Sequence, residues 1–342
     1  MRGNAMRALV GLAALVVICA ALREAQTLIV PVVFAIFVMA LAWPLQRRLE
    51  RVLPKIAAVL ATLVVALGVV GAVTSLVVWG LGHVGQWVFA NAARFQTLYG
   101  QLGIWLEGHG FVLASVMADH FDVRWMLRLF QDISGRLHSL ASFLVFTFLY
   151  FLLGMLEVDA LKSQLLKLRA RGRGAYLVAA GAAAAEKLQK YMVVRTFMSL
   201  ATGFAVWAFT LFSGLELALA WGAIAFALNY IPFIGPFVAT LLPTVFALAQ
   251  FESWEMAAFV FVSLNVIQFL SGSYIEPRIA GKTLAVSPFL VLFSVFFFAF
   301  LWGLPGAFIG VPVLIVTLTF CAGHPRSKPV AALLSGKPAE AG

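Results

Sequence analysis

The sequence predicts an all-α polytopic membrane protein with about eight transmembrane helices, the C-terminal half carrying Pro/Gly-broken segments that read as hairpins. Three observations carry that prediction. Hydrophobic residues make up 63% of the 342 residues and charged residues only 11%, against about 45–50% and about 25% in an ordinary globular chain. Several apolar runs reach the roughly 20 residues needed to cross about 30 Å of hydrocarbon. Two runs in the second half are interrupted by clustered proline and glycine. A β-barrel is excluded, because barrel strands alternate apolar and polar residues and these runs are apolar throughout.

Residues 8–22 and 27–46 read as two helices joined at Arg23-Glu24. Arg2 and Arg7 before an apolar core resemble a signal peptide. Another apolar segment begins at Thr27, however, and no small-x-small cleavage site stands in a polar context, so the reading is a retained first helix. The following loop carries Arg47, Arg48, Arg51 and Lys55 against Glu50 alone, which places it and the N-terminus in the cytoplasm. A third span at 56–80 completes the N-terminal transmembrane portion, residues 1–80. Residues 81–138 differ in texture, with balanced charges and interleaved glycines and aromatics, and read as an exterior or interfacial amphipathic segment. Residues 139–156 form a fourth span. Residues 157–193 are a cytoplasmic basic helical segment whose cluster at 167–173 is suited to anionic headgroups, which makes membrane lipids a partner. The C-terminal transmembrane core follows at 194–322, with apolar runs at 194–213, 216–231, 236–250, 256–273, 284–301 and 304–320. Residues 323–342 read as a disordered cytoplasmic tail.

The net charge of +10 is explained by topology-setting loops, with no nucleic-acid partner required. Cys19 and Cys321 lie at opposite ends within apolar runs, so neither a disulfide nor a metal site is expected. Asp119-His120-Phe121-Asp122 matches no metal-ligand spacing, and no P-loop or other cofactor motif is present. The chain also lacks HExxH, paired intramembrane aspartates and Gly-x-Ser-x-Gly, so no enzyme is expected.

The chemistry concentrates between Asn265 and Lys282, NVIQFLSGSYIEPRIAGK. Glu276, Pro277, Arg278 and Lys282 interrupt an apolar background, and an ionisable group at membrane depth is a candidate for a substrate or ion pathway. Pro277, Gly272 and Gly281 are expected to break the helix, and broken backbone at that depth survives only against protein or a water-filled cavity. Asn265, Gln268 and Ser271 stand at helical spacing and form a polar stripe that either lines a path or bonds a neighbouring helix. The bland alternative for Arg278 and Lys282 is a cytoplasmic loop obeying the positive-inside rule.

Two breaks share a punctuation. One is Asn229-Tyr230-Ile231-Pro232-Phe233-Ile234-Gly235-Pro236, followed by Pro243; the other is Trp302-Gly303-Leu304-Pro305-Gly306, followed by Pro312. Paired interruptions point to a transporter's substrate site, because freed carbonyls and half-helix ends become ligands. Asn229, Tyr230, Pro232 and Gly235 are therefore pathway candidates, as are Gly303 and Gly306. A plain turn between two helices is the competing reading.

At these residues the sequence resembles the autoinducer-2 exporter family of bacterial membrane proteins. The matching pieces are Phe226-Ala227-Leu228-Asn229-Tyr230-Ile231-Pro232 with Gly235, then Ile275-Glu276-Pro277-Arg278-Ile279-Ala280-Gly281-Lys282, Ser287-Pro288 and the run from Gly303 to Pro312. The resemblance implies a homo-oligomeric, multi-pass inner-membrane transporter of small molecules, linked to export of the quorum-sensing signal autoinducer-2. Other members of the family are associated with sodium or lithium/proton antiport, which is the alternative, disfavoured by the scarcity of intramembrane carboxylates in this chain. On the leading reading Glu276 carries the coupling proton; a non-transporting scaffold or a channel is the alternative of another class.

Overall fold

The computed structural model describes residues 2–108, 142–161, 163–164, 167, 175–280, 286–323, 327, 329, 331 and 334. All regular structure among them is helical. In chain order the helices are α1 (Arg2–Glu24), α2 (Gln26–Leu49), α3 (Lys55–Ala90), α4 (Ala92–Gly108), α5 (Ser142–Leu161), α6 (Ala175–Phe212), α7 (Ala218–Leu228), α8 (Ile234–Phe251), α9 (Trp254–Phe269), α10 (Glu276–Ala280) and α11 (Pro288–Gly323). Seven of the described helices are long and apolar enough to cross a membrane: α2, α3, α5, α6, α8, the run Trp254–Ile279 and α11. The protein is a polytopic all-α membrane protein.

The chain divides into two compact units. The first comprises Met1–Gly68, Ser142–Val193 and Ala280–Gly342; the second comprises Val69–Ala141 and Val194–Ile279. Helices α3 and α6 each contribute a portion to both. The Asp119–Asp122 stretch and most of the basic cluster at 167–173 lie outside the described residues.

In the first unit a small core of Ala35, Val59, Phe151 and Met155 joins α2, α3 and α5. Its polar member is Gln46, whose buried Oε1 accepts a 2.7 Å bond from the Thr62 hydroxyl while its Nε2 donates to Glu50. Helix α11 contains the second sequence break and does not run straight. Gly303 takes φ 64°, ψ −144°, a region open essentially to glycine alone. A Cβ on Gly310 would stand 2.8 Å from the carbonyl oxygen of Ser294, although a straight helix holds those positions about 24 Å apart. The helix therefore folds back as a hairpin, with Gly306 seated against the carbonyl of Phe298. Each arm is about 22 to 30 Å long.

In the second unit the core gathers Val206 of α6, Trp221 and Ile224 of α7, Phe246 of α8, and Val260 and Leu264 of α9. Helices α6 and α7 cross on glycine: a Cβ on Gly203 would meet the carbonyl oxygen of Gly222 at 2.9 Å, and the reverse distance is also 2.9 Å. Close backbone approach of this kind replaces the hydrophobic effect as the packing force between helices in lipid. Helix α7 has only 11 residues, about 16 Å, and cannot cross the hydrocarbon. It turns into α8 through the first sequence break. There the N–H of Ile234 donates to the carbonyl of Pro232 at 2.7 Å, closing a γ-turn on Phe233 at φ 63°, ψ −56°. That hand of γ-turn is rare and strained. Gly235 then seats against the carbonyl of Leu228, where any side chain would collide.

At the other end of this unit Gln250 ties the elements together. Its Nε2 donates to the Gly214 carbonyl and its Oε1 accepts from the Glu216 N–H, at 2.9 and 2.8 Å. Trp87 of α3 donates to the Glu216 carboxylate at 2.6 Å, and Arg94 of α4 reaches the Gln250 carbonyl at 3.2 Å. Glu216 is exposed.

Candidate functional site: a buried polar seam

The site is built on one face of α6. Arg195, Ser199, Thr202 and Val206 recur at helical spacing, and all four are buried. Opposite them stands the α9-to-α10 run. Two contacts fix its register: Arg195 Nη1 donates to both carboxylate oxygens of Glu276 at 2.7 Å, and the rings of Phe209 and Phe259 pack 5.7 Å apart. Sequence numbers rise on α6 as they fall on the partner, so the two run antiparallel. At about 1.5 Å per residue, Ser199 comes level with Ser271 and Thr202 with Gln268. The half of the seam near Arg195 is polar, and the half near Phe209 is apolar.

The sequence expects the helix to break around Pro277. Instead it widens. Residues Leu270–Ile275 form a π-helical turn, in which the Glu276 N–H reaches back to the Ser271 carbonyl. Pro277 then falls in the first turn of α10, where a missing N–H costs least. Gly272 lies within the π turn, exposed. Such turns re-aim side chains and recur at functional sites; here the turn precedes the residue that pairs with Arg195.

The tip of the α7–α8 hairpin closes the seam from a third side. Asn229 is buried and donates from Nδ2 to the Ser199 hydroxyl at 3.2 Å. Tyr230 donates its hydroxyl to Thr196 Oγ1 at 3.0 Å. Pro232 carries the γ-turn acceptor, and Gly235 makes the tight seat.

The Arg195–Glu276 pair is the electrostatic centre. The Arg195 side chain is 7% exposed and that of Glu276 22%. Removing one partner of such a pair typically costs about 3–5 kcal/mol, because the other charge is left buried and unpaired. Among the described residues, three buried side-chain polar atoms have no hydrogen-bond partner: Arg195 Nε, Thr202 Oγ1 and Gln268 Nε2. All three belong to this seam.

Not every sequence candidate joins it. Asn265 is exposed and its Nδ2 donates to the Phe261 carbonyl of its own helix at 2.8 Å. Arg278 does not pair with Glu276; its guanidinium lies over the Tyr274 ring, 3.8 Å from the centroid, on the exposed side. Pro277 is exposed as well. Lys282 lies outside the described residues. Gly303 and Gly306 belong to the hairpin of the first unit. Sequence reasoning missed Arg195, Ser199 and Thr202. The available signal was a lone arginine, followed at helical spacing by two small hydroxyl residues, in an otherwise apolar run.

A polytopic helical protein that buries an ion pair and a file of hydroxyl and amide groups between apolar helices has the makings of a membrane transporter. The family assignment agrees. The model of the AI-2E family transporters matches residues 12–323, and the chain belongs to that family. It is similar to the AI-2 transport protein TqsA of Escherichia coli (strain K12), 27% identical over 340 residues, covering 97% of this chain and 96% of that one. It also resembles a putative transport protein of Borreliella burgdorferi, 31% identical over 193 residues, covering 56% of this chain and 52% of the relative. A third relative, the putative transport protein YhhT of Escherichia coli (strain K12), is 32% identical over 126 residues, 37% of this chain and 36% of the relative.

Proposed function

We propose that the protein is a secondary transporter of the bacterial inner membrane that exports a small polar molecule of the autoinducer-2 type, with proton coupling through Glu276. Both termini are cytoplasmic on this reading, as the basic loop Arg47–Lys55 directs, and the working form is a homo-oligomer. The observation that carries the reading is the Arg195–Glu276 pair, 7% and 22% exposed, set between apolar helices. An ion pair of this kind adds little to stability compared with apolar packing, and ionisable groups at membrane depth mark substrate or proton pathways. Similarity to TqsA over nearly the whole chain supports the choice of cargo.

The contacts support a mechanism for this reading. Protonation of Glu276 releases the Arg195 guanidinium, which loosens α10 from α6. Asn229 and Tyr230 hold the hairpin tip to the same face of α6, so a shift of α6 is passed to the strained turn at Phe233. Strain stored in such a turn, about 1–3 kcal/mol, lowers the barrier to its rearrangement. The seam opens to one side and then the other.

The test is flux through purified protein in proteoliposomes with an imposed proton gradient. Autoinducer-2, sodium and lithium are the cargoes, and wild type is compared with Glu276→Gln. Gradient-driven movement of autoinducer-2, lost in the variant while the protein elutes as a folded species, is expected. Equal gradient-driven flux from both proteins would remove Glu276 from the coupling role. Absence of autoinducer-2 flux alongside sodium or lithium exchange would overturn the cargo.

A further inference from the structure

We propose that the cleft between the start of α6 and the end of α11 binds one anionic phospholipid, with an acyl chain along its alanine wall and the headgroup phosphate on Lys187. The site lies wholly within the first unit and does not depend on the transport reading above.

Local sequence makes the cleft. Tyr176, Ala180, Ala183 and Lys187 recur at helical spacing and share one stripe of α6. Tyr176 is pinned to α11: its hydroxyl donates to the Phe320 carbonyl, and its ring meets that of Phe320 edge-on with centroids 6.4 Å apart. Gly323 admits the tyrosine, since a Cβ there would stand 2.8 Å from its ring. About three turns further along α6, Lys187 Nζ donates to Thr319 Oγ1 at 3.2 Å. Between these two pins α6 presents the methyl groups of Ala179, Ala180 and Ala183, which are too short to fill the space against Thr319 and Gly323. A cleft of about 340 Å³ remains, at the small end of the range of about 300–1,000 Å³ for ligand pockets.

Two demands are left unmet there. The first is apolar: a wall built mainly of hydrocarbon is poorly served by water and well served by a hydrocarbon chain. The second is charge. Lys187 is half-buried, and its ammonium makes its one hydrogen bond to Thr319. Among the described residues no carboxylate pairs with it. The adjacent Glu186 is exposed, about 100° round the helix. The C-terminal end of α11 supplies about half a unit of negative charge, so the ammonium keeps spare N–H donors and a net demand for an anion.

An anionic phospholipid meets both demands in one molecule. Its level is right, because Thr319 and Gly323 bracket the end of the apolar run 304–320, where hydrocarbon gives way to headgroups. Basic pockets between transmembrane helices at that level recognise anionic headgroups. A free phosphate would use the ammonium and leave the cleft bare. A zwitterionic lipid would fill the cleft but bring its own cation towards Lys187.

The experiment follows the melting midpoint of the purified, delipidated full chain in detergent. The probes are dioleoyl phosphatidylglycerol, dioleoyl phosphatidylcholine, and glycerol 3-phosphate as a headgroup without chains. Wild type is compared with Lys187→Met, which removes the charge and keeps an apolar stem, with Lys187→Arg, which keeps the charge, and with Ala183→Leu, which fills the cleft. In wild type a saturable rise is expected at about fivefold lower concentration of phosphatidylglycerol than of phosphatidylcholine, with none from glycerol 3-phosphate. Lys187→Met should bring phosphatidylglycerol to the phosphatidylcholine level and leave the latter unchanged, whereas Lys187→Arg should retain the preference. Ala183→Leu should weaken both lipids several-fold, with a lipid-free midpoint equal to or above that of wild type. A preference that survives Lys187→Met would overturn the site and assign the lipid to the basic cluster at 167–173. Equal rises with the two lipids in wild type would also overturn it, as would a rise with glycerol 3-phosphate matching that of phosphatidylglycerol. Lipid binding indifferent to Ala183→Leu, or no saturable rise with either lipid, would do the same.

Discussion

The two hairpins share a backbone device and differ in what surrounds it. In each, a residue with positive φ makes the turn, Phe233 in one and Gly303 in the other. In each, a glycine follows and seats against a carbonyl of the preceding arm, Gly235 on Leu228 and Gly306 on Phe298. The α7–α8 tip carries Asn229 and Tyr230, both bonded to α6 beside the ion pair. The α11 tip carries Trp302, whose indole donates 3.1 Å to the Leu22 carbonyl at the end of α1, and Phe300, whose ring lies 4.9 Å beneath Arg23. The first tip is strained and polar; the second uses glycine, is free of that strain, and is anchored to the end of a helix. One backbone solution thus carries a polar tip bonded to α6 in the second unit and an aromatic tip bonded to the end of α1 in the first.

Substitutions can break or sharpen this contrast. The largest effect belongs to Arg195→Met, which strands Glu276 and should cost about 3–5 kcal/mol, read as a lowered melting midpoint in detergent. Next come Gly235→Ala and Gly306→Ala. Each places a methyl group on a carbonyl and should cost about 1–3 kcal/mol or more. Near-equal loss in the two would support the shared device, whereas tolerance of either would undo the hairpin reading for that arm. Smaller still are Asn229→Ala and Trp302→Phe, each losing one hydrogen bond worth about 1 kcal/mol. Their stabilities should match while their fluxes part, the first falling several-fold and the second staying near wild type. Asn265→Ala, on the exposed side, should change stability by less than about 0.5 kcal/mol and leave flux unchanged in the same assay.

Much of the fold was legible because lipid leaves the chain few choices. Apolar runs of the right length become helices, since every backbone group must find its partner internally. Proline and glycine clusters become turns for the same reason. Extents were less legible: α3 and α6 run well past the expected spans, as nothing in hydropathy says where a helix stops outside the membrane. The site was half legible. Glu276 stood out as a charge in an apolar background, as did Asn229 and Tyr230 beside proline. Its partner did not, because Arg195 is 81 positions away and reads as one more positive residue at the border of a basic segment. Asn265 falls outside the seam for a geometric reason. Three residues on a helix differ by about 60° of rotation, enough to put Gln268 inside the seam and Asn265 outside. Arg278, two residues beyond Glu276, stacks on Tyr274 and stays outside the seam.

The central claim is that the Arg195–Glu276 pair lies on the transport path and is not a strut. The direct test is gradient-driven autoinducer-2 flux through the double variant Arg195→Met, Glu276→Gln. Removing both charges together leaves neither stranded, so the protein should fold with a melting midpoint at or above that of wild type. The account predicts that this folded protein has lost gradient-driven flux. Flux at the wild-type rate from the neutral pair would contradict it.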